Sequence, residues 1–265
     1  MLDLAISDDG VATLTLDRPD VLNALSTPMI EALLEALARI QADASVRALL
    51  LTGRGRAFCA GADLHDPMMN IEAPAPERGR RFLESADRGI HALARALAGL
   101  RKPKVAAVNG PAVGGGASLA LAADIVLAAD TAYFQFPFTS QLGLVPDLGG
   151  SWHLVQRLGS ARALGALMLG ERVASRQAAE WGLIWQCVPA DQLQGAALEI
   201  AQRLAKGAPR AMAMLPQLVA QAQHHDLDTQ LDRERDAQAA LVQTEDFIEA
   251  VKAFKDKRKP VFQGR

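Results

Sequence analysis

Cysteine is nearly absent from this 265-residue chain; Cys59 and Cys187 are its only two. That excludes a disulfide scaffold and points to a reducing compartment, so the protein is expected in the cytoplasm. The start, Met1-Leu2-Asp3-Leu4, lacks the basic and apolar regions of a secretory signal. No apolar run reaches the length of about 18 residues needed to span a bilayer, so no membrane partner is expected. A basic excess is also missing. Lys and Arg number 28 against 30 Asp and Glu, with a formal charge of −2, which argues against a nucleic-acid partner. There is no internal repeat and no low-complexity tract. Half the residues are apolar, enough for one large core domain with an appended helical segment.

Familiar chemical signatures are missing too. No G-x-G-x-x-G occurs, and no Lys-Ser/Thr follows the glycine runs, so dinucleotide and triphosphate loops are excluded. No G-x-S-x-G elbow surrounds Ser118 or Ser151. His224-His225-Asp226 are adjacent, unlike the i, i+4 pair of helical zinc sites. They read as the solvated start of a long helix, and no metal is expected. Cys59 has no neighbour that marks a thiolate nucleophile and is read as packing.

What the chain does have is two glycine-rich segments, each following a short apolar run that reads as a strand. Phe58-Cys59-Ala60-Gly61-Ala62-Asp63-Leu64 follows Ala48 to Leu51; Asn109-Gly110-Pro111-Ala112-Val113-Gly114-Gly115-Gly116 follows Val105 to Val108. Glycine lets backbone approach where a Cβ would block it. Two backbone N–H groups aimed at one point can hold a developing oxyanion. If the segments converge, the chain is an enzyme for a carbonyl or thioester.

The remaining pattern predicts an α/β order. Leu4 to Ile6 and Val11 to Leu16 flank the turn Asp8-Asp9-Gly10. Thr27 reads as a cap and Pro28 as the first residue of a helix carrying Ile30, Leu33, Leu34 and Leu37. Strands are expected at Val46 to Thr52, Lys104 to Val108 and Ile125 to Ala128, with a short helix from Gly115 to Ala122. Met68 to Glu77, with Pro67, Pro74 and Pro76, reads as a mobile loop, and Phe82 to Leu100 as helix. From Leu154 helices dominate, at 161–169, 175–181, 191–205, 209–222 and 227–254, with one strand at 183–188. The fold class is α/β with a helical tail.

Together with Leu142-Gly143-Leu144-Val145-Pro146-Asp147, the two glycine segments resemble the enoyl-CoA hydratase/isomerase (crotonase) superfamily. The resemblance runs from Leu14-Thr15-Leu16-Asp17-Arg18-Pro19 to Phe254-Lys255-Asp256-Lys257-Arg258. It implies a spiral of ββα units over residues 1–195 carrying an acyl-CoA site, and a helical region over 196–265 for assembly as a homotrimer or homohexamer. Coenzyme A would be part of the substrate, with no separate cofactor. The amides of Ala62 and Gly115 would form the oxyanion hole. Ala60, Asp63, Leu64, Gly114, Phe138, Phe254 and Lys257 would contact substrate or CoA.

The family's hydratases use two glutamates. One matching position is Ser118 here, and the segment Phe134 to Ser140 has no carboxylate. A serine hydroxyl is too weak a base to substitute. Asp147 stands where family isomerases carry a single acid that moves a proton between carbons. Its bland reading is a cap for a helix starting at Gly149 or Gly150. Trp181 to Gln186 and Leu227 to Asp236 resemble the ring-epoxide isomerases of phenylacetate degradation. The resemblance therefore implies an acyl-CoA isomerase with Asp147 as catalytic acid/base. Two alternatives stand beside it: a hydratase or another lyase of the family, and a non-catalytic acyl-CoA-binding protein.

Overall fold

A tight turn at Gly10, whose φ is +82°, folds β1 (Leu2–Ile6) back on β2 (Val11–Leu16) as an antiparallel pair. Val11, Ala12, Leu14 and Leu16 of β2 are buried. The computed structural model describes residues 1–67 and 71–265.

Helix α1 (Thr27–Ala42) carries Pro28 in its first turn and buries Met29, Ile30, Leu33, Ala36, Leu37 and Ile40. That spacing is a single apolar stripe. It leads to β3 (Ala48–Gly53), which is buried throughout. Then come α2 (Ala75–Arg88), α3 (Ile90–Gly99) and β4 (Lys104–Val108). The loop expected over Met68 to Glu77 is helical from Ala75, and its positions 68–70 lie outside the described residues. Pro74 and Ala75-Pro76 are compatible with a helix start, where a missing N–H costs nothing. The single helix expected over Phe82 to Leu100 is broken at Gly89, whose φ and ψ of −105° and −100° are not helical.

Next are β5 (Ala112–Val113), α4 (Gly115–Leu121), β6 (Ile125–Ala129), β7 (Tyr133–Gln135), α5 (Phe138–Leu142), α6 (Gly150–Leu169), β8 (Arg172–Ala174), α7 (Ser175–Glu180) and β9 (Gln186–Val188). The order β1-β2-β3-β4-β6-β9 forms a six-stranded sheet, parallel from β2 onward. A second sheet, β5-β7-β8, stands beside it. The chain ends in α8 (Leu193–Ala205), α9 (Pro209–Ala222), α10 (Leu227–Leu241) and α11 (Glu245–Lys255). The expected helix over 227–254 is two, because Thr244 caps a new one by accepting from Phe247 N at 3.2 Å. Asp226 caps α10 in the same way, accepting from Thr229 N at 2.8 Å. Helix α8 runs across the 195/196 boundary, and its Leu193, Ala197, Ala201 and Ala205 are buried in the same core as the large sheet. Core packing therefore continues to residue 205. Among the described residues, no helix is long and apolar enough to cross a membrane.

Arg157 on α6 ties this framework together. Its guanidinium donates to the carbonyls of Leu121 at 2.7 Å, Ala123 at 2.8 Å and Leu183 at 2.9 Å. The Leu121 carbonyl is freed at the end of α4 and that of Ala123 follows just beyond its cap, where a cation is favoured by the helix dipole. Burial still brings the Arg157 pKa down to about 10. Arg157→Met should leave three carbonyls without donors and lower unfolding stability by about 3 kcal/mol, read from urea denaturation. A loss below about 0.5 kcal/mol would show that α4 holds its end without this residue.

Candidate active site

Because β3 and β4 are parallel neighbours, the segments that follow them leave the same edge of the sheet. In open parallel sheets that edge is where ligands bind. The segments then join through backbone. Phe58 N and Cys59 N donate to Pro111 O at 3.1 Å each, and Val113 N donates to Cys59 O at 2.9 Å. Glycine makes this contact possible. A Cβ on Gly116 would collide with the Cys59 carbonyl. One on Gly61, at φ +93°, would lie 2.8 Å from Val113 O and 3.4 Å from Gly115 N.

Two amides are left over where the segments meet. Leu25 N donates to Gly61 O at 2.7 Å, and Asp63 N donates to Leu25 O at 2.9 Å. Alternation along the strand turns the intervening Ala62 N–H away from Leu25. Gly115 opens α4, so its N–H has no partner one turn back. Among the described residues neither amide donates to a protein acceptor. Gly114 reaches this place through φ +53° and is held by Gln135 O, at 2.8 Å from its N.

Asp147 faces the same spot. Its Oδ1 lies 3.2 Å from where a Cβ on Gly115 would stand, and it is buried with no hydrogen-bond partner. Burial pushes the carboxyl up to about 6, against smaller opposing pulls from its own backbone N–H and from His91 on α3. The cap reading of Asp147 does not hold. Helix α6 begins at Gly150, its cap is Gly149 in the left-handed region, and no side chain caps it. The preceding Leu148 is also left-handed at φ +48°, with its side chain buried near Gly115. A non-glycine residue there costs about 1 kcal/mol, and such strain collects at functional sites.

Ser118 is wholly buried, and its Oγ donates to Gly114 O at 3.4 Å. A Cβ on Gly150 would come within 2.5 Å of that Oγ. Cys59 is buried and its thiol is pushed up to about 12, which suits packing and not a nucleophile. Phe138 is buried with its ring 3.7 Å from the Cβ position of Gly114. Ala60 is half-buried, its N donating to Leu22 O at 3.0 Å, and Leu64 is exposed. Asp63, expected among the CoA contacts, directs its carboxylate to Arg18 at 3.0 Å and to the His65 amide at 3.1 Å. Arg54 pairs with Asp17 at 2.7 Å.

Phe254 and Lys257 sit at the end of α11, away from this cluster along the chain. Lys257 N donates to Phe254 O and Arg258 N to Ala253 O, a Schellman turn with Lys257 left-handed at φ +53°. Phe254 is 86 % exposed. Sequence reasoning did not anticipate Leu148, whose backbone strain leaves no compositional trace, or His91, four residues after its partner Asp87 at 3.4 Å.

Two free amides beside a buried, proton-avid carboxylate suit chemistry in which a carbonyl oxygen gains charge while a neighbouring carbon loses a proton. The comparison with known proteins agrees with that class. The chain matches the enoyl-CoA hydratase/isomerase family over residues 7–265 and is a member of that family, with the crotonase fold. It is 45% identical over 258 residues to the 1,2-epoxyphenylacetyl-CoA isomerase of Escherichia coli, covering 97% of each chain. It is 41% identical over 260 residues to a probable enoyl-CoA hydratase of Rhodobacter capsulatus, covering 97% of this chain and 96% of the relative. The crystal structure of an enoyl-CoA hydratase from Bacillus anthracis superposes with a TM-score of 0.90 at 31% identity, covering all of this chain and 99% of that one.

A carboxyl titrating near 6 instead of 3.8 binds its proton more tightly folded than unfolded. Its ionisation therefore costs stability that is intact at low pH and lost as pH rises through about 6. The gap corresponds to about 3 kcal/mol. Asp147→Asn should stabilise the fold by up to about 3 kcal/mol near pH 8 and by less near pH 4.5, measured by chemical denaturation at both values. Equal effects at the two pH values would contradict a raised Asp147.

Proposed function

We propose that this protein is an acyl-CoA isomerase working through a thioester enolate. The observation that carries this reading is the unpartnered Asp147 Oδ1 beside Gly115. A CoA thioester would place its carbonyl oxygen between the amides of Ala62 and Gly115. Asp147 would then take a proton from C2 of a 3-enoyl chain. The negative charge spreads onto the thioester oxygen, and the same carboxyl returns the proton to C4. One base suffices and the protein ends as it began. The reaction as proposed needs neither a metal nor a redox cofactor, since CoA belongs to the substrate.

The name of the Escherichia coli relative supports extending this to ring-epoxide phenylacetyl-CoA. The name of the Rhodobacter capsulatus relative favours hydration instead. Hydration would require a second base, and the packing of Ser118 against Gly114 and Gly150 offers none there. We further propose assembly as a homotrimer or homohexamer through the last helices. Helices α9 and α10 bury no residue within the chain and expose Leu215, Val219, Leu227 and Leu231.

Asp147→Asn should reduce isomerisation of a 3-enoyl-CoA by at least about 100-fold while CoA binding persists. Unchanged turnover would sink the proposal, and efficient hydration of crotonyl-CoA by the wild type without isomerisation would favour the rival. In the wild type, kcat should rise with pH through about 6 and level off above it, because only the ionised carboxylate accepts a proton. A kcat that falls across that range would assign the titration to another group.

A further inference from the structure

The segment carrying the Ala62 amide is held by very little ladder. Leu25 and Ala62 form an isolated bridge, with one backbone bond on either side of Ala62. The Gly61 carbonyl and the Ala62 N–H share one planar trans peptide, so the amide is aimed by whatever holds residues 24–25 and 63 in register. A guanidinium spans the same junction. Arg18 Nη1 donates to Ala24 O at 2.8 Å, just before Leu25, and Arg18 Nη2 pairs with Asp63 Oδ2 at 3.0 Å, just after Ala62.

We infer that Arg18, through its fork onto Ala24 and Asp63, is a positioning residue that aims the Ala62 amide. The inference rests on the isomerase reading and names part of the machinery that reading requires. Arg18 is itself anchored. Its N–H donates to Asn23 Oδ1 at 2.9 Å, and its carbonyl accepts from Asn23 N at 2.9 Å. Asn23 is wholly buried and donates through Nδ2 to the carbonyls of Arg54 at 3.0 Å and Ala57 at 2.9 Å. To make this turn, Leu22 and Asn23 adopt φ values of 54° and 57°. Asn tolerates that region and Leu does so only under constraint. The far carboxylate oxygen, Asp63 Oδ1, accepts from His65 N, so the Asp63 side chain is fixed at both ends.

The geometry needs arginine. A planar fork can place one N–H on a carbonyl and another on a carboxylate at once, whereas an ammonium presents a point charge on a flexible stem. The side chains are 25% and 12% exposed, so solvent screens the pair only in part. The Leu25 side chain completes the coupling. Its Cδ1 lies 3.7 Å from the Cβ position of Gly115, so a shift of residues 24–25 would disturb both amides. An error of about 1 Å in such a donor costs about 100-fold in rate.

The test compares wild type, Arg18→Gln, Arg18→Lys, Asp63→Asn and the Arg18→Gln/Asp63→Asn double variant on a 3-enoyl-CoA. CoA alone serves as the binding probe, and thermal melting tracks folding. Arg18→Gln should lower kcat by about 10- to 100-fold with KM and CoA binding within about threefold. The double variant should be no worse than the poorer single variant, because both act on one device. Arg18→Lys keeps the charge and carries the test if the Gln variant does not fold. Its kcat should also drop with CoA binding retained. Full kcat in Arg18→Lys, or a loss confined to KM, overturns the inference while leaving the isomerase reading intact. A wild type that does not isomerise removes both.

Discussion

A methyl group on Gly116 would strike the Cys59 carbonyl, one on Gly110 would strike the Arg56 carbonyl, and one on Gly61 would crowd Val113 O at 2.8 Å. Three contacts of backbone on backbone thus fix how the chain leaving β3 meets the chain leaving β4. Since those strands are parallel neighbours, the meeting is set at one edge of the sheet, and every feature of the candidate site is placed relative to it. The small sheet has the same purpose. Pairing of β5 with β7 carries Gly114 onto the Gln135 carbonyl and so sets where α4 begins.

Helix α6 is the second support. At its start, Gly150 packs on Ser118 in the middle of α4, and two turns later Arg157 closes the C-terminal end of α4. A short helix of small residues is thereby held at its middle and at its C-terminal end by one longer helix. Asp147 lies in the connection just before α6, so its distance from Gly115 inherits that rigidity. The left-handed Leu148 and Gly149 are the local cost of turning the carboxylate inward and away from the capping position that Asp would otherwise favour.

Much of this was legible in residue order. Strong periodicity located β2, β3, β4, β6 and α1, and Thr27-Pro28 marked a helix start that the structure places one residue earlier, with Ser26 at the cap. The short strands β5, β7 and β8 escaped, because two or three residues are too few to show a period of two. Gly89 and Gly159 break the helices around them with non-helical φ and ψ, a backbone departure that periodicity alone does not locate. At the site, the family resemblance pointed to Ala62, Gly115 and Asp147, but the unpartnered state of Asp147 Oδ1 is a property of its surroundings. Arg18 was readable only as part of the opening segment Leu14 to Pro19. Its partner Asp63 lies 45 positions away, a long-range pairing no local pattern encodes.

The surroundings of Ser118 and Asp147 differ in one respect that bears on chemistry. Ser118 is closed in by its own helix and by Gly150, and its hydroxyl is occupied with the Gly114 carbonyl. A glutamate there would need three further heavy atoms where α6 already packs. Asp147 has the opposite situation, a buried oxygen with nothing to bond and a nearby glycine that leaves space before it. A fold that solved only for stability would have bonded or removed that carboxylate, since its ionisation costs about 3 kcal/mol at neutral pH. Retaining one such group while filling the second position with a satisfied serine matches a reaction that moves a single proton from carbon to carbon. It fits poorly with adding water, where one group must activate the water while another supplies the proton.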